Sequence, residues 1–446
     1  MRGGIYLFHV GASDRQFARD FSAFEGFSRG PAHPPPADMT AKRPKLLFLC
    51  QTLPFPPDGG VSIRTYNVMR LLAREFDITA LCFYRIGDRL TPEDVARSVE
   101  GLRSLAHVDA FAIPQEHSRT RLIWDHARSL LSRRPYTLYA YESSVFLRRL
   151  RQLLTTEHFD LVHMDSMDLS RYLPVVSAIP VVCVHHNVES SLLSRRAKTA
   201  SWPISAYLGV QAALTRHEER IWCPKVGLNV TVSRADADEL ERLAPSARFA
   251  VVPNGVDTQR FRPRQKAGVE ETGVVFVGGY GWQPNRDAME FYCDSVLPRI
   301  RSRGVAPITT WVGRASEEVQ RNYEIQWGVR LTGYVDDIRP IVLAAACYVA
   351  PLRAGGGTRL KILDAWAMGK AVVSTTVGCE GLEAVDGKNI IVRDDPEEFA
   401  KAVVRILSDP AERRAIGQEA RRTAEDLYDW EVIGRSMLPR YRALLP

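Results

Sequence analysis

Short apolar runs alternate with longer amphipathic stretches along most of the chain. The alternation predicts buried parallel strands joined by helices. The first series of runs is Lys45-Leu46-Leu47-Phe48-Leu49-Cys50, Ile78 to Phe83, Val108 to Ile113, Asp160 to Asp165, Pro180 to Val184, Leu228 to Ser233 and Ala250 to Val252. A second series follows: Val274 to Val277, Ile308 to Val312, Val329 to Leu331, Cys347 to Pro351, Ala371 to Thr376 and Ile390 to Val392. Helices are expected at Ser62 to Glu75, Ser191 to Trp222, Arg234 to Leu243 behind a Ser233 cap, and from Asn285, Pro396 and Pro410. Two such series in tandem predict an α/β protein with two doubly wound units.

The expected organisation has four parts. Residues 1–44 form an extension marked by Ala32-His33-Pro34-Pro35-Pro36, which is either disordered or precedes a true start at Met39. A first unit covers 45–255 and a second covers 256–428, with the proline-bearing stretch Phe261 to Lys266 read as the linker between them. An amphipathic helix over 429–446 closes the chain and is expected to pack back on the first unit.

Composition narrows the classes. The 446 residues are 45% hydrophobic and 25% charged, as in an ordinary globular protein. No run approaches the ~18 apolar residues of a membrane span. A formal charge of +7 suits an anionic ligand or an anionic membrane surface. Nucleic acid is not expected as a partner, since no dense basic run is interleaved with aromatics. Arg119 to Arg151 is rich in arginine and free of lysine, and reads either as a solvated helical face or as a patch that meets anionic lipid. Seven scattered cysteines without a CxxC predict buried free thiols, a reducing cytoplasmic setting and no zinc site.

Candidate chemistry concentrates at strand ends. The richest stretch is Val349-Ala350-Pro351-Leu352-Arg353-Ala354-Gly355-Gly356-Gly357-Thr358-Arg359-Leu360-Lys361-Ile362-Leu363-Asp364. It reads as strand, glycine loop and helix, with Thr358 as the N-cap. Arg359 and Lys361 then fall in the first helical turn, where the helix dipole disfavours cations. An anion such as a diphosphate, held by free N–H groups and both side chains, would make the arrangement favourable. The plain alternative is a solvated helix start with Lys361 paired to Asp364. Earlier in the chain, Gly59 and Gly60 follow the first strand, as a ligand loop or simply as a tight turn. Val184-His185-His186-Asn187 runs from an apolar strand into polar residues, and a histidine there is either a structural cap or a hydrogen-bond donor or base.

These motifs resemble those of the GT4-type retaining glycosyltransferases, which have the GT-B fold of two Rossmann-like domains facing a central cleft. The resemblance covers about residues 45–446. It rests on Val252-Pro253-Asn254-Gly255-Val256-Asp257, on Phe276-Val277-Gly278-Gly279 with Trp282, Pro284 and Asn285, and on Gly355 to Gly369. It implies transfer of a sugar from a nucleotide-diphosphate donor to a glycan or lipid-linked acceptor, with retention, without a metal or cofactor, in envelope or exopolysaccharide assembly. A GT-B sugar-nucleotide epimerase and a binding subunit without catalysis are the alternatives. The implied place of action is the cytoplasm or the inner face of its membrane.

By position, the resemblance makes Asp364 the second acid of the family's E-x7-E pattern, on the ribose. The first acid falls on Gly356, so the pattern is broken. The basic pair that many relatives carry near the second unit's first glycine loop is absent from Gly278-Gly279-Tyr280-Gly281. Gly356, Gly357, Thr358, Arg359 and Lys361 are expected to hold the diphosphate instead. Gly59 and Gly60 match the family's first glycine loop, and His186 matches the histidine near the transferred sugar.

Overall fold

The computed structural model of the chain describes residues 43–85, 91–263, 271–355 and 357–446. All but the last two residues of the expected 1–44 extension lie outside the described residues, and so does Gly356. Contacts divide the chain into two units. One takes the described residues up to Pro253 together with Gly434–Pro446, and the other is Asn254–Ile433.

The first unit is built on seven parallel strands: β1 (Lys45–Cys50), β2 (Asp77–Tyr84), β3 (His107–Ala112), β4 (Leu161–Met164), β5 (Val181–His185), β6 (Leu228–Thr231) and β7 (Phe249–Val251). Their order is β3-β2-β1-β4-β5-β6-β7. β1 is central, and Leu46 to Cys50 are completely buried, which is why it reads as an unbroken apolar run. The direction of winding reverses between β1 and β4, and the loops after those strands sit where open α/β sheets meet ligands. They are the Gly59 loop after β1 and the polar residues from Asp165 after β4.

The second unit repeats the plan with six strands: β8 (Val274–Val277), β9 (Thr309–Val312), β10 (Val329–Leu331), β11 (Cys347–Ala350), β12 (Val372–Ser374) and β13 (Ile391–Val392). The order β10-β9-β8-β11-β12-β13 is parallel throughout. Winding reverses between β8 and β11. The loops that follow are Gly278-Gly279 and Pro351 to Arg359, the two glycine stretches singled out above.

Several boundaries differ from expectation. The first helix is Gly60–Leu72, so Gly60 opens the helix instead of lying in the loop. The stretch Ser191 to Trp222 is two helices, Glu189–Thr199 and Ile204–Trp222, because Pro203 cannot donate the backbone bond that would continue the first. The chain joins the second unit before the expected linker: Val256 bonds to Tyr428 through its backbone N–H, and Phe261 packs on that unit's core. Residues 264–266 of that linker lie outside the described residues. The C-terminal helix Trp430–Arg442 is shared: Ile433 and earlier residues group with the second unit, Gly434 onward with the first. There Tyr441 places its hydroxyl 2.9 Å from His163 Nδ1, and Arg442 pairs with Glu75 at 3.0 Å. All seven cysteines are buried and free. Among the described residues no helix is long and apolar enough to cross a membrane.

Candidate active site

In the second unit, the loop after β11 turns through Gly355 (φ +115°) and Gly357 (φ +75°), a region that side chains strain to enter. These turns delay the helix to Leu360–Ala367. Thr358 is therefore not the N-cap. Arg359 holds that position, with φ −85° and ψ 87° and no side-chain cap, and the Thr358 hydroxyl is buried without a hydrogen-bond partner. Arg359 thus stands just before the first turn, and Lys361 is the second helical residue. No acid occupies that turn.

Both cations fold inward. Arg359 is 4% exposed, lies 6.0 Å from the Trp282 ring, and would be 2.9 Å from a Cβ added at Gly355. Lys361 does not pair with Asp364. It donates to Asn285 Oδ1 at 2.7 Å, with its Nζ 4.2 Å from the centre of the Phe276 ring and 5.9 Å from that of Trp282. Burial first, then the charge of Arg359, pulls Lys361 well below the ordinary lysine range. Burial also lifts the Asp364 carboxyl to about 7, with Arg260 opposing. Burial disfavours the charged form of both side chains, and an anion bound at this helix start would favour the charged lysine.

Asn285 ties the two glycine loops together. Its amide donates to the Gly279 carbonyl at 2.9 Å while its oxygen takes the Lys361 bond. A Cβ on Gly278 would come within 2.6 Å of that amide, whereas one on Gly279 would meet nothing closer than 3.8 Å. Gly278 is thus a packing glycine, and Gly279 borders open space.

In the first unit the centre is Asp165, just past β4. Its Oδ2 accepts from Thr65 at 2.7 Å and stands 3.5 Å from His186 Nε2, and its Oδ1 is 3.5 Å from His163 Nε2. Burial alone would raise this carboxyl, but the histidines outweigh it and hold it well below the usual carboxylate range. His185 takes the structural role: Nε2 lies 3.0 Å from Asn229 Oδ1, and burial lowers its pKa to about 4. His186 stands beside the carboxylate, which can orient its imidazole.

His186 also borders a cavity of about 30 Å³, room for a water or two, walled by Asp168, Ser170, Glu189 and Glu219 among others. Burial raises the carboxyls of Asp168 and Glu189 and lifts Glu219 to about 7. Gly59 is the N-cap of Gly60–Leu72 at φ −124°, and a Cβ there would meet nothing within 4 Å. Neither backbone nor crowding demands a glycine at that point.

The structure thus gathers Gly278, Gly279, Asn285, Gly357, Thr358, Arg359, Lys361 and Asp364 in one unit and Gly59, Gly60, Asp165 and His186 in the other. The sequence alone does not single out Asp165, Thr65 or the two hydrogen bonds of Asn285. Asp165 had a signal, since it ends an apolar strand as His186 does. Among the described residues no group of three or more His, Cys, Asp or Glu is placed to hold a metal.

Two parallel sheets, each with glycine loops or polar side chains at its switch point, define a doubly wound α/β class of protein, in which ligands meet the sheet at those loops. Sequence comparison then places the chain. Residues 58–260 match the family described as Glycosyltransferase Family 4, and residues 271–409 match Glycosyl transferases group 1. The chain belongs to the GT4-type glycosyltransferases. A GDP-mannose-dependent phosphatidylinositol monomannoside mannosyltransferase of Corynebacterium glutamicum is 24% identical over 209 residues, 42% of this chain and 55% of the relative. The chain spans about half the length of the curated relatives it matches. Sucrose-phosphate synthase from Thermosynechococcus elongatus superposes with a TM-score of 0.64 at 17% identity, over 90% of this chain and 99% of that one. Anabaena HepE, solved with UDP, gives 0.62 at 15% identity over 90% and 100%. These neighbours establish the GT-B fold.

Proposed function

We propose that the chain transfers a sugar from a nucleoside-diphosphate sugar to a hydroxyl of a glycan or lipid-linked acceptor, with retention of configuration and without a metal, in envelope or exopolysaccharide assembly. The observation that carries this reading is the pair of a buried Arg359 and a half-buried Lys361 at a glycine-flanked helix start with no acid in its first turn. A diphosphate leaving group gains charge in the transition state, and fixed cations and helix N–H groups stabilise it without reorganising. They supply positive charge that a divalent ion supplies in other transferases. Asn285 is a positioning residue that aims Lys361. In this reading Asp364 takes the ribose, and the phosphates lie against Gly279 and Gly357. In the first unit, His186 with Asp165 serves the transferred sugar or the acceptor hydroxyl. Solved neighbours that carry UDP or UDP-glucose, and the GDP-mannose-dependent relative, support the donor class but leave its base open.

The test is a thermal-shift screen of nucleoside diphosphates and their sugars, followed by product analysis with a labelled donor. A ligand at ~100 times its dissociation constant should add ~2.7 kcal/mol of stability. Labelled sugar should appear on an acceptor with its anomeric configuration unchanged. Binding without transfer or donor hydrolysis would favour a binding subunit. A donor isomerised in place would favour an epimerase.

A further inference from the structure

We propose that the helix Arg119–Ser132 is an interfacial helix that docks the first unit on an anionic lipid surface. This deepens the lipid-linked acceptor reading above, but its observations are separate. Ile123, Trp124, Leu130 and Leu131 are 59%, 60%, 47% and 80% exposed. At 3.6 residues per turn they fall, with Ala127, within an arc of about 120°. The residues that the helix buries deepest are polar. Asp125 is 2% exposed, and Ser129, completely buried, bonds with Gln211 Nε2 at 2.9 Å. The usual polarity of a surface helix is reversed: polar side chains anchor it and its apolar stripe faces outward.

Charge complementarity selects the occupant. Residues 119–151 hold eight arginines, two acids and no lysine. The acids are spent inside the unit: Asp125 faces Arg121, and Glu142 takes Arg128 and Arg171 at 2.6 Å each. Arg134 and Arg149 turn inward to Glu218 and Asp109. Arg133, Arg148 and Arg151 remain exposed. The helix Ser144–Thr156 continues the patch, since Ser144 shares a surface groove with Trp124, Val145 is 54% exposed, and Arg148 and Arg151 follow on the same face. An apolar stripe carrying Trp and Leu, rimmed by arginines without facing acids, matches the boundary between acyl chains and anionic headgroups.

The test uses the full chain and neither donor nor acceptor, so it stands or fails apart from the transferase reading, which the nucleotide screen reports. Vesicles of phosphatidylglycerol and phosphatidylcholine are compared with pure phosphatidylcholine by sedimentation at low and high salt. The chain should bind the anionic vesicles at least ~10-fold more tightly, and less so at high salt. Ile123→Ser with Leu131→Ser should reduce that binding ~10-fold or more and leave the melting temperature unchanged, since both side chains are exposed. Arg148→Ser with Arg151→Ser, which touches no apolar residue, should weaken binding and flatten its salt dependence. The proposal is overturned by absent vesicle binding, by equal binding to neutral and anionic vesicles, or by a double apolar variant that binds as well as the parent. It is also overturned if light scattering shows a dimer that this variant converts to monomer, because the stripe would then be a self-interface.

Discussion

The two units share a topology and differ in the side chains they bring to their switch points, Arg359 and Lys361 in the second and Asp165 with two histidines in the first. In the second, Lys361 stands half-buried beside Arg359, and burial together with that neighbouring charge drives its pKa down. In the first, three carboxyls line the cavity beside His186, and burial drives the Asp168, Glu189 and Glu219 pKa values up. Burial disfavours the charged form in both places, that of a lysine in one and of carboxyls in the other. A parallel sheet places polar groups at its carboxyl edge in both cases, and it is indifferent to their sign. Under the proposed reading the division is chemical: the cationic unit takes the diphosphate, and the acidic one handles hydroxyls and protons.

The largest expected effect falls on the acidic side. Lifting the Glu219 carboxyl from 4.5 to about 7 in a nearly inaccessible site corresponds to roughly 3 kcal/mol. The folded chain binds more protons than the unfolded one in that window, so stability falls as pH rises from about 4.5 to about 7 and stays low above it. Glu219→Gln keeps an oxygen for the Ser190 N–H, which Glu219 now accepts at 3.1 Å, and removes the ionisation. Melting curves from pH 5 to 8 should show a flatter dependence and a higher melting temperature at pH 8. Parallel curves for variant and parent would mean that Glu219 is solvated.

Next is the step served by His186. His186→Ala should lower turnover by about 100-fold or more, the lower range of general acid–base effects, while nucleotide affinity stays nearly intact. Calorimetry alongside steady-state rates separates the two. Loss of affinity in proportion to turnover would move His186 from the transfer step to donor binding.

Lys361→Ala tests the opposite pole. Losing a charged hydrogen bond of ~1.5–3 kcal/mol should weaken a nucleoside diphosphate by ~10–100-fold and spare the free nucleoside. Without ligand the variant should be no less stable than the parent, since it removes a cation that burial already disfavours. Equal loss for both ligands would show that the loop itself had collapsed. No loss would place the diphosphate elsewhere.

How much of this was readable in the chain follows from burial and distance. Strands such as Lys45–Cys50 were legible because they are buried on both faces and leave no polar alternation to confuse. The start of the Leu360 helix was not, because threonine is a good N-cap in general, and only the positive φ of Gly355 and Gly357 carries the chain past it. The pairing of Lys361 with Asn285 spans 76 residues, and no local period signals it. Asp165 and His186 follow neighbouring strands, so their residue types were visible while their partnership needed the sheet order.

The smallest expected effect sharpens the comparison through glycine. Gly278→Ala would drive a methyl into the Asn285 amide and the Phe276 ring, at 2.6 and 2.7 Å, so its damage is structural and says little about a ligand. Gly59→Ala meets no atom within 4 Å and keeps an ordinary φ of −124°, so the unfolded-state gain and the poorer N-cap offset each other and stability should change by no more than about 1 kcal/mol. Whatever Gly59→Ala does to function therefore reports on something from outside the chain. If sugar or phosphate approaches that backbone, the apparent affinity for donor or acceptor should fall several-fold while the melting temperature holds. A Gly59→Ala variant that is indistinguishable from the parent in binding and turnover would mark Gly59 as a plain turn and confine close ligand approach to the glycines of the second unit.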